Sequence, residues 1–188
     1  MTWLVVGLGN PGRRYERTRH NIGHLVAAEL ADRIGARFKA HRDRLSETTQ
    51  GVIGGQSTVV ARSRGYMNES GGPVKSLLGY YDVPAGRLIV IHDELDLEPG
   101  SLRVKFGGGD NGHNGLKSIR SAIGTGEYAR VRCGIGRPES GQTVFDYVLK
   151  PFSKAERAEL PLQVVTAADA VQSLIELGLD STQNTFNR

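Results

Sequence analysis

The sequence predicts an α/β fold, a single globular domain over residues 1–188 with a mixed, mostly parallel β-sheet flanked by helices. Three observations support this fold class. Apolar runs of strand length alternate along the chain with stretches of helical periodicity. A chain of 188 residues can bury one well-packed core but is too short for two large domains. The sequence also contains no internal repeat and no low-complexity linker.

The elements follow in order from local patterns. Trp3–Val6 is an apolar run that ends at a glycine and predicts a buried strand, and Ile22–Ile34 carries an apolar stripe at helical spacing. The runs Thr48–Ile53 and Thr58–Arg62 flank a glycine pair and predict a hairpin. Pro161 either opens a second helix within the last helical stretch or kinks a single one. The remaining predicted elements are helices at Val74–Tyr81, Asn114–Ile123 and 153–178, and strands at Leu88–Ile91, Ser101–Phe106 and Ala129–Ile135.

Composition excludes several classes of protein. The single cysteine, Cys133, rules out an intrachain disulfide and a Cys-based zinc site, and it fits a reducing compartment. No apolar run approaches the ~18 residues that a membrane span needs. The N-terminal apolar run lacks a basic lead and is interrupted at Gly7, so it does not resemble a signal peptide. We therefore expect a cytoplasmic protein without a membrane partner.

The charges are unevenly distributed. Residues 1–64 carry 11 basic and 5 acidic side chains, and residues 101–137 carry 7 and 2, whereas acidic residues are in excess in segments 65–100 and 138–188. A basic face suits a polyanion, with nucleic acid as the first candidate. The alternative is a mildly basic solvated surface, and charge alone leaves both open.

The loop Gly7–Gly12 (GLGNPG) matches the G-x-G-x-x-G pattern of dinucleotide-binding loops. That pattern requires a helix to begin at once, but a polar stretch extends to Ile22. The acidic residue expected at a strand end about 20 residues on is missing, because Glu29 and Asp32 fall on the predicted helix. We therefore expect no nucleotide cofactor. The loop places Asn10, whose carboxamide can donate and accept, although Asn10 could also be only a turn residue.

His20 is a candidate general base, because the pKa of histidine lies near working pH. Asp93 ends a buried strand, and a carboxylate bonded to one imidazole nitrogen leaves the other nitrogen free to take a proton from water. Both residues fall in strand-end loops, so they could meet. His24 has metal-ligand spacing from His20, but Asn21 replaces the Glu of H-E-x-x-H, so we interpret His24 as a helix residue. A solvated loop or a cation site remains an alternative for the acidic cluster around Asp93.

Further candidates surround the Gly-rich loop Gly107–Gly115, whose backbone N–H groups and following helix dipole could hold an anion unless the loop is simply mobile. His113 and Asn114 add hydrogen-bonding side chains, although Asn114 could only cap the helix. Lys105 and Arg132 lie on neighbouring basic strands and could clamp a phosphate or merely face outward.

Another segment, Tyr66-Met67-Asn68, offers an aromatic face, a soft apolar contact and a carboxamide. Core packing is the simpler interpretation of Met67 taken alone. We expect Cys133, which lies within a strand without a neighbouring base motif, to be an inert buried thiol.

Together these motifs resemble the bacterial peptidyl-tRNA hydrolase family over essentially the whole chain. Each motif alone is weak, whereas their joint occurrence in this order is specific. The resemblance implies a monomeric cytoplasmic esterase that cleaves the ester between a peptide and the 3′ end of tRNA, and so recycles tRNA from stalled translation. It rests on Gly7–Gly12 (GLGNPG), Tyr15–Gly23 (YERTRHNIG), Tyr66–Asn68 (YMN), His92–Leu97 (HDELDL) and Gly112–Gly115 (GHNG).

The resemblance also implies roles for single residues. His20 would be the general base, Asp93 would hold it in the basic form, and Asn10 would recognise the N-blocked substrate. Asn68 and Asn114 resemble positions that bind substrate and orient the reacting end. Tyr15 and Tyr66 match positions at the tRNA terminus, Lys105 and Arg132 resemble the pair on the tRNA 5′ phosphate, and Met67 and His113 complete the predicted substrate-binding set.

Three alternatives remain open from the sequence. The first is a catalytically silent RNA-binding protein on the same fold. The second is a metallohydrolase that uses His20, His24 and Asp93, although we expect no metal. The third is a nucleotide-binding enzyme that uses Gly7–Gly12. The loop around Asp110-Asn111 and the C-terminal segment resemble gating elements of the family.

Overall fold

The structure, a computed structural model, describes residues 1–187, so the last residue of the predicted domain lies outside it. Within that range no helix has both the length and the apolar character that crossing a membrane requires. The strands are β1 (Thr2–Gly7), β2 (Lys39–Ala40), β3 (Ser46–Ile53), β4 (Gln56–Ser63), β5 (Leu88–Glu94), β6 (Leu102–Phe106) and β7 (Ala129–Gly134). The helices are α1 (Ile22–Arg33), α2 (Gly71–Tyr81), α3 (Asn114–Ile123), α4 (Val144–Val148), α5 (Lys154–Leu177) and α6 (Leu179–Phe186), with 3-10 turns at Arg19–Asn21, Met67–Glu69 and Ala85–Arg87.

The strands form one seven-stranded sheet in the order β2-β3-β4-β1-β5-β7-β6. The central strands β4, β1, β5 and β7 are parallel, and antiparallel pairs complete both edges. All residues of β5 are buried, because helices cover both faces of the parallel strands. The predicted α/β fold with a mixed sheet around a parallel centre is therefore confirmed.

The central strands contribute side chains to two hydrophobic cores, one on each face of the sheet. Val5 packs with residues of α1 and α5, whereas its neighbours Leu4 and Val6 pack with residues of α2 and α3. This division follows from the two-residue side-chain period of a strand. The two layers hold the central strands from both sides and so fix the positions of the loops at their carboxyl ends.

Most predicted elements are present, with boundaries displaced by a few residues. Of the two alternatives for Pro161, the single helix is observed, because Pro161 lies inside Lys154–Leu177 and does not open a second helix. Pro161 is on the exposed side of α5, where solvent can hydrogen-bond the carbonyl of Arg157 that a proline cannot bond. The helix begins with a capping box between Ser153 and Glu156.

The C-terminal helix α6 was not predicted. Its sequence carries few apolar residues, and tertiary contacts hold it in place. The Asn187 side chain accepts from the Val104 backbone N–H at 2.7 Å and donates to the Val104 carbonyl at 2.7 Å. Val104 lies on the edge strand β6, so the C-terminal end of the chain satisfies backbone groups that would otherwise be unpaired.

A close contact between two glycines sets the position of α1 against β1. A Cβ atom on Gly7 would lie 2.0 Å from the carbonyl oxygen of Gly23, and a Cβ atom on Gly23 would lie 2.4 Å from the Ile91 carbonyl oxygen. The glycines of these two motifs therefore allow the first turn of α1 to approach β1 and β5. Since the turn Arg19–Asn21 immediately precedes α1, the same contact places His20 beside the end of β5.

Candidate active site

Nine of the eleven predicted site residues surround one cleft at the carboxyl edge of the parallel strands. The cleft has a volume of about 410 Å³ and is formed by the loops that follow β1, β4 and β5, by the loop that precedes α3 and by helix α4. Ligands of open α/β sheets bind at this edge. The predicted residues that line it are Asn10, Tyr15, His20, Tyr66, Met67, Asn68, Asp93, His113 and Asn114.

His20 and Asp93 form a hydrogen-bonded pair at the base of the cleft. Nδ1 of His20 lies 2.8 Å from Oδ2 of Asp93. Asp93 is 3% exposed and stands on the buried strand β5, so its carboxylate is held rigidly. An ionised carboxylate only accepts hydrogen bonds, which places the ring proton of neutral His20 on Nδ1 and leaves Nε2 as a free base.

His20 and Asp93 shift the pKa values of one another, and each shift favours the ion pair. Burial opposes ionisation of Asp93, but the two neighbouring imidazoles, His20 and His113, outweigh it and hold the pKa of Asp93 well below its usual range. Burial also lowers the pKa of His20, but the charge of Asp93 and its hydrogen bond together outweigh burial, so the net pKa of His20 is raised. Asp93 is therefore a constant negative charge that increases the basicity of His20.

His113 is bound to the same carboxylate. Its Nε2 lies 2.7 Å from Oδ1 of Asp93, so the two oxygens of Asp93 face two different imidazoles. The Nδ1 atom of His113 accepts from the backbone N–H groups of Gly115 and Leu116, so the N-cap of α3 is His113. The alternative that Asn114 caps this helix is wrong, because Asn114 is its first residue.

Asn10 is held by backbone contacts and lines the cleft. Its Oδ1 accepts the Met67 backbone N–H at 2.7 Å. A second residue, Asn21, accepts the Asn10 N–H and donates to the Asn10 carbonyl, each at 2.8 Å. Asn21 was not singled out by the sequence, although its place inside the HNIG segment was the available signal. The two bonds through Asn21 fix the GLGNPG loop, and this use of the loop differs from dinucleotide binding.

The rim of the cleft is polar and aromatic. Tyr15 and Tyr66 meet edge to face with ring centroids 6.3 Å apart, and Tyr66 is 54% exposed. The side chains of Asn68 and Asn114 are exposed and form no hydrogen bond within residues 1–187, so their carboxamides are available to a ligand. Met67 is buried, as expected from core packing, but it also lines the cleft.

Lys105 and Arg132 lie outside this cleft, in an adjoining cavity of about 320 Å³. The cavity is lined by three basic side chains, since Arg130 is also present. Burial lowers the pKa of Lys105 most. The charges of Arg132 and then Arg130 lower it further, because they disfavour a positive charge on the Lys105 amine. Glu94 and Asp96 also line the cavity but are paired with Arg132 and Arg137, so the lining keeps a net positive charge that favours an anion. Glu94 and Asn111 line both cavities, so the two are contiguous.

Glu94 is a residue that the sequence analysis did not single out, although it lies within the HDELDL motif. Its Oε1 accepts from Nε and a terminal nitrogen of Arg132 at 3.1 and 2.9 Å, and its Oε2 accepts from Asn111 at 3.0 Å. Glu94 therefore connects the basic cavity to the Gly-rich loop. That loop is tethered further by Arg130, which donates to the carbonyl oxygens of Gly108 and Gly109.

His24 and Cys133 do not line the cleft. Burial lowers the pKa of His24 to about 3, with Arg62 adding to the effect, so His24 is neutral. The group that could hold a metal is His20, Asp93 and His113, and His24 does not belong to it in the part of the chain described. The alternative ligand set of His20, His24 and Asp93 is therefore not brought together, and His24 lies in α1, as the sequence analysis expected. Cys133 is fully buried, and burial raises its pKa, as expected of an inert thiol.

Comparisons with known proteins show the family to which the chain belongs. A family model described as peptidyl-tRNA hydrolase matches residues 4–188. The chain is 53% identical to the peptidyl-tRNA hydrolase of Nocardia farcinica (strain IFM 10152) over 184 residues, which cover 98% of this chain and 95% of that protein. It is 51% identical to the peptidyl-tRNA hydrolase of Rhodococcus erythropolis (strain PR4 / NBRC 100887) over 186 residues, or 99% and 98% of the two chains.

A solved structure gives the same result at lower sequence identity. The peptidyl-tRNA hydrolase of Acinetobacter baumannii superimposes with a TM-score of 0.92 and 34% identity, covering 99% of this chain and 94% of that one. The similarity extends over the whole fold and includes the elements that form the cleft.

Proposed function

Because the chain belongs to the peptidyl-tRNA hydrolase family, whose members are ester-bond hydrolases, we propose how its own residues perform the hydrolysis. His20 takes a proton from water through Nε2, and the resulting hydroxide attacks the carbonyl carbon of the ester between the peptide and the tRNA 3′ end. The pair of His20 with Asp93 in the cleft carries this proposal, because it leaves a free basic nitrogen facing the cleft space.

Asp93 orients the base and stabilises it after protonation. Its carboxylate binds Nδ1–H, which fixes the tautomer, and its charge favours the imidazolium that forms as water loses its proton. The proton then passes to the 3′ oxygen of tRNA as the C–O bond breaks. An ester has a good leaving group, so this reaction needs no covalent nucleophile, and the only thiol of the sequence, Cys133, is buried.

Three side-chain carboxamides form hydrogen bonds with the substrate. Since Oδ1 of Asn10 is engaged by Met67, its Nδ2 group donates to the acyl group of the N-blocked end, which supports discrimination against free aminoacyl-tRNA. Asn68 and Asn114 bind the reacting end and donate to the developing oxyanion. A well-placed donor of this kind contributes about 10²–10³-fold to the rate.

The tRNA contacts extend from the cleft to the basic cavity. The terminal nucleotide packs against Tyr15 and Tyr66, and Met67 and the ring of His113 line the space beside it. Lys105 and Arg132 bind the 5′ phosphate of the acceptor stem. We further propose that the enzyme is a monomer that acts in the cytoplasm without a cofactor, where it recycles tRNA from stalled translation.

The direct test follows peptide release from an N-acetylaminoacyl-tRNA in the presence of chelator, with the wild type and His20→Ala side by side. Unblocked aminoacyl-tRNA is the second substrate. We expect cleavage of the blocked substrate alone, and its loss in the variant. Metal-dependent cleavage would replace this mechanism with that of a metallohydrolase. Salt-sensitive tRNA binding without cleavage would indicate a silent RNA-binding protein.

A further inference from the structure

His113 occupies an unusual position among the polar residues of the cleft, because both of its ring nitrogens are used inside the protein. Nδ1 accepts the backbone N–H groups of Gly115 and Leu116 at 3.1 and 3.3 Å. Backbone N–H groups only donate, so Nδ1 is unprotonated and the ring hydrogen is on Nε2. That hydrogen points at Oδ1 of Asp93, 2.7 Å away.

The ring of His113 is also fixed by its neighbours. It stands against the His92 ring with centroids 5.1 Å apart and against the His20 ring with centroids 5.3 Å apart. Its side chain is 9% exposed. A ring held by a helix cap, by a carboxylate and by two other rings cannot rotate to offer a nitrogen to a substrate without losing these bonds.

We propose that His113 is a positioning residue that holds Asp93 and limits how strongly Asp93 binds the ring of His20. This inference rests on the proposed function of His20 as the base and Asp93 as its orienting partner. It assigns to His113 a role through Asp93 instead of direct hydrogen bonding to substrate.

Two donors share the one negative charge of Asp93. Asp93 accepts from His113 through Oδ1 and from His20 through Oδ2. Each hydrogen bond stabilises the carboxylate and weakens its attraction for the other partner. If the donor on His113 is removed, more of the charge acts on His20, and the protonated form of His20 becomes more favourable. The pKa of His20 should therefore rise, and a larger fraction of the base should be protonated at a given acidic pH.

The other titratable groups around the pair do not supply this effect. Burial, with His113 as the next contribution, lowers the pKa of His92 to about 3, so His92 stays neutral. Burial raises the pKa of the Cys133 thiol, which lies opposite Asp93 in the sheet, so Cys133 also stays neutral. Glu94 is paired with Arg132. Arg19 precedes His20 in the chain and is paired with Glu156. The cleft that contains the pair is also lined by Tyr15 and Tyr66.

Two substitutions separate the bonds of His113. His113→Asn retains an oxygen that can cap α3, but its short side chain does not reach Asp93. His113→Gln carries an amide nitrogen that can reach Asp93, while its fit as a helix cap is poorer. The first variant therefore tests the bond to Asp93, and the second is the matched control that retains it.

The measurement is the NMR titration of the His20 ring in the full-length wild type and both variants, together with kcat and KM against pH. We expect His113→Asn to raise the pKa of His20 by about half a unit or more. Its kcat on the acidic side should then fall about threefold or more, with KM within about twofold of the wild type. His113→Gln should keep the wild-type His20 titration and lower the melting temperature.

An unchanged His20 titration in a folded His113→Asn variant would overturn the proposal, and so would an increase in KM with no change in kcat. The NMR readout needs no turnover, so it remains valid if the proposed mechanism fails. Retention of activity in His20→Ala would overturn the mechanism alone, whereas a His20 titration unaffected by His113 would overturn the positioning role alone.

Discussion

The side-chain oxygen of Asn10 accepts the backbone N–H of Met67 at 2.7 Å, a bond between residues 57 positions apart in the chain. A backbone N–H cannot donate to an amide nitrogen, so this contact fixes which end of the carboxamide is which. The oxygen of Asn10 is bound inside the protein, and its amide nitrogen remains available to a ligand in the cleft. The loop after β1 and the loop after β4 are thereby joined at the point where the substrate would bind.

This relationship predicts different outcomes for two substitutions of Asn10. Asn10→Asp keeps the acceptor for Met67 but replaces the donor by an anion, so we expect kcat/KM on N-acetylaminoacyl-tRNA to fall about 10²–10³-fold with little loss of stability. Asn10→Ala also leaves the Met67 N–H unpaired, which should lower the free energy of unfolding by about 1–3 kcal/mol. Kinetics and urea unfolding of both variants test this; equal stability losses would contradict the assignment of the amide.

The pH dependence of activity follows from the pair of His20 with Asp93. The base must be neutral, and the pKa of His20 is raised, so kcat should fall as the pH decreases through a value above the ordinary 6.5 of histidine. Asp93→Asn removes the charge and leaves burial to act alone, so this limb of the profile should move to lower pH. We expect kcat at its optimum to fall about 10²–10⁴-fold. A limb that stays in place in the folded variant would show that another group titrates.

The sequence was sufficient to predict the central pair of the site but not its support. His20 and Asp93 were identifiable because each follows a strand or precedes a helix and carries a residue type suited to proton transfer. The second bond on Asp93 was not predictable, because it depends on how the Gly-rich loop folds back over β5 to bring His113 within 2.7 Å. Likewise, no local pattern reveals that Glu94 would pair with Arg132 across two neighbouring strands.

The secondary-structure predictions were likewise correct where local signals decide and incomplete where tertiary contacts decide. Helix α3 was predicted with its observed bounds, Asn114–Ile123, because its apolar face and its terminal glycine are local signals. Helix α6 was missed because its sequence carries few apolar residues, and it docks on β6 through Gln183 and the adjacent Asn187. The sequence left two alternatives open at Pro161, and the single helix is observed because an exposed position tolerates the missing backbone bond.

The basic cavity predicts a salt-dependent contribution to tRNA binding. Lys105→Ala removes one phosphate contact, so the slope of log affinity against log salt concentration should fall in magnitude by about 1. Lys105 is the better choice for this test, because Arg132→Ala would leave the Glu94 carboxylate buried without its cation. Lys39→Ala, on the opposite edge of the sheet, is the matched control and should leave the slope unchanged. Lys105→Ala should not weaken the binding of tRNA that lacks the 5′ phosphate. If Lys105→Ala weakens the binding of tRNA with and without the 5′ phosphate equally, the phosphate binds elsewhere.

The glycine contact between α1 and the sheet predicts a combined loss of stability and activity. In Gly23→Ala the new Cβ would meet backbone atoms of Ile91 and Leu8 at 2.4 and 2.5 Å, so α1 must shift. We expect the free energy of unfolding to fall by about 2 kcal/mol or more, and kcat to fall because His20 moves away from Asp93. Gly79→Ala in α2 is the matched control.

Gly79 has no heavy atom within 4 Å of its would-be Cβ, so alanine there should raise the free energy of unfolding by about 0.5–1 kcal/mol through helix propensity and leave kcat unchanged. Denaturant unfolding and steady-state kinetics on the two variants measure both effects. A Gly23→Ala enzyme with wild-type stability would show that α1 is not packed against the sheet at this glycine. One that lost stability but kept its kcat would show that the position of His20 does not depend on this contact.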